Sequence, residues 1–144
     1  LGQYETDLRT AAANQLPLIC ANPDHVVVRQ NGDRVICAGA IAQNFKEMGG
    51  ITYYYGKPHS TFYQACLNQL NGVSPNRILA IGDTLRTDIK GAQTASLPTA
   101  LVLGGILANE LNIAWGEVPR QKHLKTLCMN QGIYPDFALP TFVW

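Results

Sequence analysis

The segment Gly82-Asp83-Thr84-Leu85-Arg86-Thr87-Asp88 follows the apolar run Arg77–Ile81 and opens a helix-like stretch. Asp83 offers a hard oxygen of the kind that binds Mg2+, and Gly82 permits a tight turn without a Cβ. Asp88 stands in the first helical turn, where a carboxylate braces a loop or accepts a hydrogen bond from a metal-bound water. Upstream, Gly56-Lys57-Pro58 follows a second apolar run, Ile51–Tyr55. An ammonium such as that of Lys57 stabilises the charge spread over a transferring phosphoryl group, whose catalysis is chiefly positioning and electrostatics. Together these residues describe one wall of a magnesium–phosphate site. No Asp-x-Asp pair occurs anywhere in the sequence, so the carboxylate nucleophile that usually accompanies such a wall is absent from these residues.

Each residue also has a plain structural explanation. Thr87-Asp88 is what ordinary helix initiation looks like, Asp83 suits a Gly-Asp turn, and Lys57 before Pro58 suits a solvated helix start. The combination carries more than any member. His25 and His59 stand beside proline-containing turns and read as surface or supporting residues, His123 as a surface residue, and Tyr53-Tyr54-Tyr55 as strand packing. The sequence holds no Gly-x-Gly-x-x-Gly, Walker loop or Gly-x-Ser-x-Gly elbow, which removes the common dinucleotide, nucleotide and serine-hydrolase readings.

The elements that must position these residues follow from periodicity. Tyr4, Leu8, Ala11 and Ala12 share a helical face, and Leu16–Ala21 reads as a buried strand that Asn22-Pro23-Asp24 interrupts. Val26–Val28 and Arg34–Cys37 are expected as strands around the turn Gln30-Asn31-Gly32-Asp33, and Ala38–Met48 as a helix stopped by Gly49-Gly50. From Ile51 the pattern alternates: strand 51–55, helix 61–70, strand 77–81, helix 87–95 and strand 99–103, with helices over 107–111 and 120–129 and a last strand at 137–139. Such alternation implies a parallel sheet. Ligands of open α/β sheets sit outside the carboxyl ends of the strands, and right-handed crossovers would bring Lys57 and Asp83 to one such edge. The Gly49-Gly50 break is the expected domain boundary.

Composition sets limits. With 144 residues and 47% hydrophobic residues the chain builds a real core, and its formal charge of +1, without a basic cluster, argues against nucleic acid. The four cysteines lack metal or Cys-x-x-Cys spacing and read as core thiols of a reducing compartment. No apolar run is long enough to span a bilayer and no signal peptide is evident, so a cytoplasmic protein without membrane contact is expected. The start at Leu1, in what already looks like a helix, reads as an N-terminal truncation.

These motifs resemble the haloacid dehalogenase-like phosphatases, in the subgroup with a large α+β cap inserted between the second and third motifs. Gly56-Lys57-Pro58 resembles the third motif, Gly82–Ile89 the fourth, Cys20-Ala21-Asn22-Pro23-Asp24 the end of a central cap strand, and Leu101–Ile106 the strand and loop after the fourth motif. The resemblance implies an α/β fold: the C-terminal half of a cap over residues 1–50 and the second half of a Rossmann-like parallel-sheet core over 51–144. It implies attack by an aspartate on a small phosphorylated metabolite, an aspartyl-phosphate and a Mg2+ cofactor. Lys57 would hold nucleophile and phosphate, Asp83 the metal, Asp88 its outer shell, and Asn22 and Asp24 the substrate. Because the family's Asp-x-Asp and its Ser/Thr motif are not found here, the chain by itself is expected to be inactive, and to self-associate through an exposed sheet edge or pair with the missing N-terminal half. Two other readings stand beside it. One is a non-catalytic module that binds metal and phosphate or another chain; the other, a receiver-like domain, fits poorly because Lys57 precedes Asp83.

Overall fold

The computed structural model describes residues 2–28 and 33–143. They form two compact units, residues 1–59 and 60–144, each with its own parallel sheet pairing.

In the first unit a 3-10 turn, Gly2–Tyr4, leads into α1 (Glu5–Ala13), with Leu8 buried as its helical face requires. Strand β1 (Leu18–Cys20) pairs in parallel with β4 (Thr52–Tyr54), Leu18 opposite Thr52 and Cys20 opposite Tyr54. Between them lie the antiparallel pair β2 (Val26–Val28) and β3 (Arg34–Ile36), then α2 (Ala38–Glu47). Of the hairpin turn expected there, Gln30, Asn31 and Gly32 lie outside the described residues. Helix α2 buries Ala42 and Phe45 completely, and the Phe45 ring fills the space a Cβ on Gly50 would need. The opposite face of the β1–β4 pair is bare: Ile19, Tyr53 and Tyr55 point outward and are about half exposed or more. The tyrosine run is thus not strand packing throughout. Only Tyr54 is half-buried, and its ring stacks on His59 at 5.7 Å.

The second unit holds α3 (Ser60–Gln69), a 3-10 turn at Pro75–Arg77, β5 (Ala80–Gly82), α4 (Lys90–Thr94), β6 (Thr99–Val102), α5 (Ala108–Leu111), α6 (Gln121–Gln131) and β7 (Phe137–Leu139). The sheet order is β5-β6-β7, all parallel, as the strand–helix alternation predicts. Strand β4 pairs with β1 in the first unit, where Cys20 beside Tyr54 is fully buried, and β5 pairs with β6 in the second.

Leu85, Ile89, Leu101, Leu103, Leu107, Leu111, Leu127, Cys128 and Ile133 make one core cluster of the second unit, and Tyr63, Ala92 and Leu97 a smaller one. Full burial of such a side chain stabilises by roughly 1.5–3 kcal/mol. Cys20 and Cys128 are buried thiols pushed above the usual range by desolvation, but Cys66 is exposed on α3. At the amino end of β6, Asp136 Oδ2 accepts from Thr99 N at 2.8 Å and Thr99 Oγ1 at 2.7 Å, and those bonds hold its carboxyl below the usual range. No helix among the described residues is long and apolar enough to cross a membrane.

Candidate active site

The acidic loop is built around Asp88. Strand β5 ends at Gly82, and the chain then makes a π-helical turn, Leu85–Ile89, before continuing as α4. Leu85 and Ile89 anchor that turn in the core, while Asp88, only 9% exposed, turns its carboxylate back onto the loop. Its Oδ2 accepts from Asp83 N at 3.2 Å, Thr84 N at 3.1 Å and Thr84 Oγ1 at 2.7 Å. Thr84 in turn accepts from Asp88 N at 3.3 Å and is bonded to the Thr87 hydroxyl. Helix capping by Thr84 and loop bracing by Asp88 are thus reciprocal bonds between the same two residues. Gly82 is required because a Cβ there would overlap the Asp88 side chain.

Asp83 is half-buried, and its Oδ2 accepts from Ile106 N at 3.1 Å. The loop after β6 comes so close that a Cβ on Gly105 would overlap the Asp83 carboxylate. One residue earlier, the Cβ position of Gly104 lies 2.8 Å from Pro140 O and 3.4 Å from the ring of Trp115. The Asp83 carboxylate is thereby fixed between the ends of β5 and β6. Spacing alone does not reveal Gly105 and Ile106; the Gly104-Gly105 pair directly after a strand is the signal that marks them.

A second support comes from α3. The Tyr63 hydroxyl donates to Asp88 O at 3.0 Å and Thr87 O at 3.2 Å, beneath the loop. Burial, with the negative charge of Asp88 behind it, pushes the phenol up to about 12. A Cβ on Gly91 would strike its ring. Nothing in the local pattern around Tyr63 announces this role, since its partners lie 24 and 25 residues away.

Lys57, Asn22 and Asp24 lie in the first unit. Because β1 and β4 run parallel, the turns after both leave from the same edge of that pair. Gly56, at φ 88°, places its Cβ position 2.7 Å from Ala21 O and 3.2 Å from Pro23 Cδ, so the Lys57 turn packs directly on the Asn22–Asp24 turn. Asn22 Oδ1 accepts from Asp24 N at 3.1 Å, and Asp24 O accepts from Gly39 N at 3.0 Å. Asn22 and Asp24 thus both carry structural bonds in the turn after β1. The structure groups the predicted residues in two sets: Asp83 with Asp88, and Lys57 with Asn22 and Asp24.

The donor set at Asp83 suits a hard divalent cation. Among the described residues no group of three or more His, Cys, Asp or Glu side chains is assembled for a metal. Mg2+ accepts such a site, since it commonly takes one or two carboxylates and fills its octahedron with water and phosphate oxygens.

Parallel strands that deliver a braced acidic loop to their carboxyl ends define a Rossmann-like α/β protein. The HAD-hydrolase-like family model matches residues 54–126, and the chain belongs to the haloacid dehalogenase-like hydrolases. It is 35% identical over 94 residues to the ribonucleotide monophosphatase NagD of Escherichia coli K12, covering 65% of this chain and 36% of that protein. A haloacid dehalogenase-like hydrolase from Brucella suis 1330 superposes with a TM-score of 0.72 at 32% identity, over 99% of this chain and 50% of that one. Glycerol phosphate phosphatase from Mycobacterium tuberculosis, crystallised with magnesium, is 27% identical with a TM-score of 0.58, over 70% of this chain and 31% of that one. The chain thus spans half or less of the length of these proteins.

Proposed function

We propose that these residues are the metal- and lysine-bearing part of a Mg2+-dependent phosphomonoester hydrolase of the cytoplasm, acting on a small phosphorylated metabolite. The observation that carries this reading is the Asp83 carboxylate, held by Ile106 N–H against Gly105 while Asp88 locks the backbone beneath it. Such rigidity suits a group that must meet charge without reorganising. Bound there, Mg2+ would neutralise phosphate charge. Asp83 would be its protein ligand, with Asp88 behind it; Lys57 would hold the phosphate and an attacking aspartate, and Asn22 and Asp24 would touch the substrate's leaving group.

In this reading the first unit, with β4 in it rather than ending at residue 50, is the later half of a cap, and the second unit is the later half of the core. The attacking aspartate, which would form an aspartyl-phosphate, comes from an Asp-x-Asp segment not found in this sequence. The bare face of Ile19, Tyr53 and Tyr55, and the outer position of β5 in its sheet, support pairing with such a segment or self-association. The absence of Asp-x-Asp also favours a second reading, a non-catalytic module that binds metal and phosphate.

Calorimetric titration with Mg2+ and an assay with p-nitrophenyl phosphate test these readings. The 144-residue chain is expected to bind Mg2+ weakly, to lose that binding in Asp83→Asn, and to show no turnover until an Asp-x-Asp segment is supplied. Turnover by the chain alone, abolished by Asp83→Ala, would sink both the inactive-fragment and the non-catalytic readings. Unchanged Mg2+ binding in Asp83→Asn would remove Asp83 from the metal site.

A further inference from the structure

Of the asparagines in this sequence only Asn31 and Asn71 precede a glycine, and Asn31 lies outside the described residues. Asn71 follows α3 at φ 44°, a left-handed conformation that asparagine tolerates at a helix end, and Gly72 continues at φ 82°. Both are exposed, and nothing stands within 4 Å of the place a Cβ on Gly72 would take. Among the described residues no hydrogen bond ties the Asn71 side-chain amide or the Gly72 N–H. The nearest backbone bonds, Leu70 N to Leu67 O at 3.0 Å and Val73 N to Leu70 O at 3.1 Å, pass on either side of them.

Asn112 is the counterpart. It ends α5 at φ 51°, but the next residue is the β-branched Ile113, whose N–H is bound to Ala108 O at 3.0 Å. Elsewhere the side chain is occupied or the following nitrogen carries no hydrogen. Asn14 Nδ2 donates to Thr10 O at 2.8 Å, Asn68 Oδ1 accepts from Gln64 Nε2 at 2.9 Å, and Asn22 precedes Pro23. Asn71 alone among these combines an untied amide, an untied backbone N–H after it and no side chain to crowd their meeting.

We infer that Asn71-Gly72 is a modification site, at which the chain deamidates without an enzyme. The Gly72 nitrogen, on losing its proton, attacks Asn71 Cγ. The new N–Cγ bond closes a five-membered succinimide as the Cγ–Nδ2 bond breaks, and the Nδ2 group leaves with a proton as ammonia. Water then opens the ring: attack at Cγ gives an aspartyl residue, and attack at the Asn71 main-chain carbonyl gives an isoaspartyl residue. Ring closure needs rotation about the Asn71 Cα–C bond, which a glycine in open space permits. Either product sets a carboxylate beside the negative end of the α3 dipole, and the isoaspartyl link lengthens the main chain by one carbon. Helix α3 carries Tyr63, so the reaction loosens the element that supports the acidic loop from below. The site stands independently of the hydrolase reading.

The test is peptide mapping of the folded 144-residue chain, incubated in metal-free, mildly alkaline buffer beside a synthetic peptide of residues 67–75. Tandem mass spectrometry of the tryptic peptide ending at Arg77 places the change, and methylation by protein isoaspartate methyltransferase reports the isoaspartyl product. Conversion at Asn71 is expected within tenfold of the rate in the free peptide and at least tenfold faster than at Asn112. A smaller ratio to Asn112, or a folded chain slower than the peptide by more than tenfold, would overturn the inference. Mildly acidic buffer is expected to slow the reaction at least fivefold, because the Gly72 nitrogen must lose its proton; a rate indifferent to pH would overturn the route through the succinimide. Gly72→Ala is expected to slow it at least fivefold and Asn71→Gln to remove it. After equal incubation the wild type is expected to melt below Asn71→Gln, and equal melting would overturn the link to α3. Because the wild-type map needs no variant, misfolding of one does not obscure the answer.

Discussion

The turn after β5 and the turn after β4 each present a charged side chain at a strand end, but they are held differently. The Asp83 turn is tied from within by a buried carboxylate with three donors, flanked by glycines with no room for a Cβ, and rooted in the larger core through Leu85 and Ile89. The Lys57 turn rests on backbone: Tyr55 N bonds Cys20 O at 2.7 Å, His59 N bonds Gly56 O at 2.9 Å, and beneath it lies a two-stranded pair with one apolar face exposed. A carboxylate proposed to bind a metal gains from rigidity. A lysine on a long flexible stem tolerates a softer base, and local opening is expected where few buried contacts oppose it.

The largest expected effect is that of Asp88→Ala, which strips partners from Asp83 N and Thr84 N in a part-buried loop. A loss of about 3–5 kcal/mol is expected in urea unfolding, against ~1 kcal/mol or less for Asp83→Ala. Equal losses would break the contrast between a brace and a ligand. Next comes Gly56→Ala, in the other turn, which needs a positive φ and meets the Ala21 carbonyl at 2.7 Å, and is expected to cost about 2–4 kcal/mol. Gly105→Ala is expected to cost no more than that, about 1–3 kcal/mol, by forcing the Asp83 carboxylate aside. Thermal unfolding of the two variants compares the turns directly, and a negligible loss at Gly56 would show that the Lys57 turn yields where the Asp83 turn does not.

Tyr63→Phe is expected to cost about 1 kcal/mol through the bonds to the Thr87 and Asp88 carbonyls. It also carries a pH signature. The folded phenol titrates at about 12, above its unfolded value of 10.0, so its contribution is complete below pH 10 and lost as pH rises towards 12. Stability measured across that window should fall for the wild type, and that component of the fall should vanish in Tyr63→Phe. The smallest effect belongs to the softer turn: His59→Ala removes the stack on Tyr54 for about 0.5–1 kcal/mol, checked by the same unfolding experiments.

The sequence shows the order of elements well because periodicity and turn residues are local signals. Helix 38–47 and strand 99–102 fall within a residue of where their patterns place them. Strand partners were less legible: Leu18 opposite Thr52 is a contact across 34 positions, fixed by which faces can be buried together. The same divide runs through the candidate site. Asp83 and Asp88 stand in one short motif and are visible in it, whereas Ile106 and Tyr63 reach the loop from 23 and 25 positions away and leave no spacing to detect.

Trp115 gives the acidic loop an optical consequence. It is one of two tryptophans, the other being Trp144, and its indole is 69% exposed while resting against Gly104, next to the glycine that abuts Asp83. In a Trp144→Phe background the emission spectrum therefore belongs to a single fluorophore beside the Gly104–Ile106 backbone. Any cation or phosphate that reorders this backbone will change the colour or intensity of that light, and the protein needs no added dye to report it.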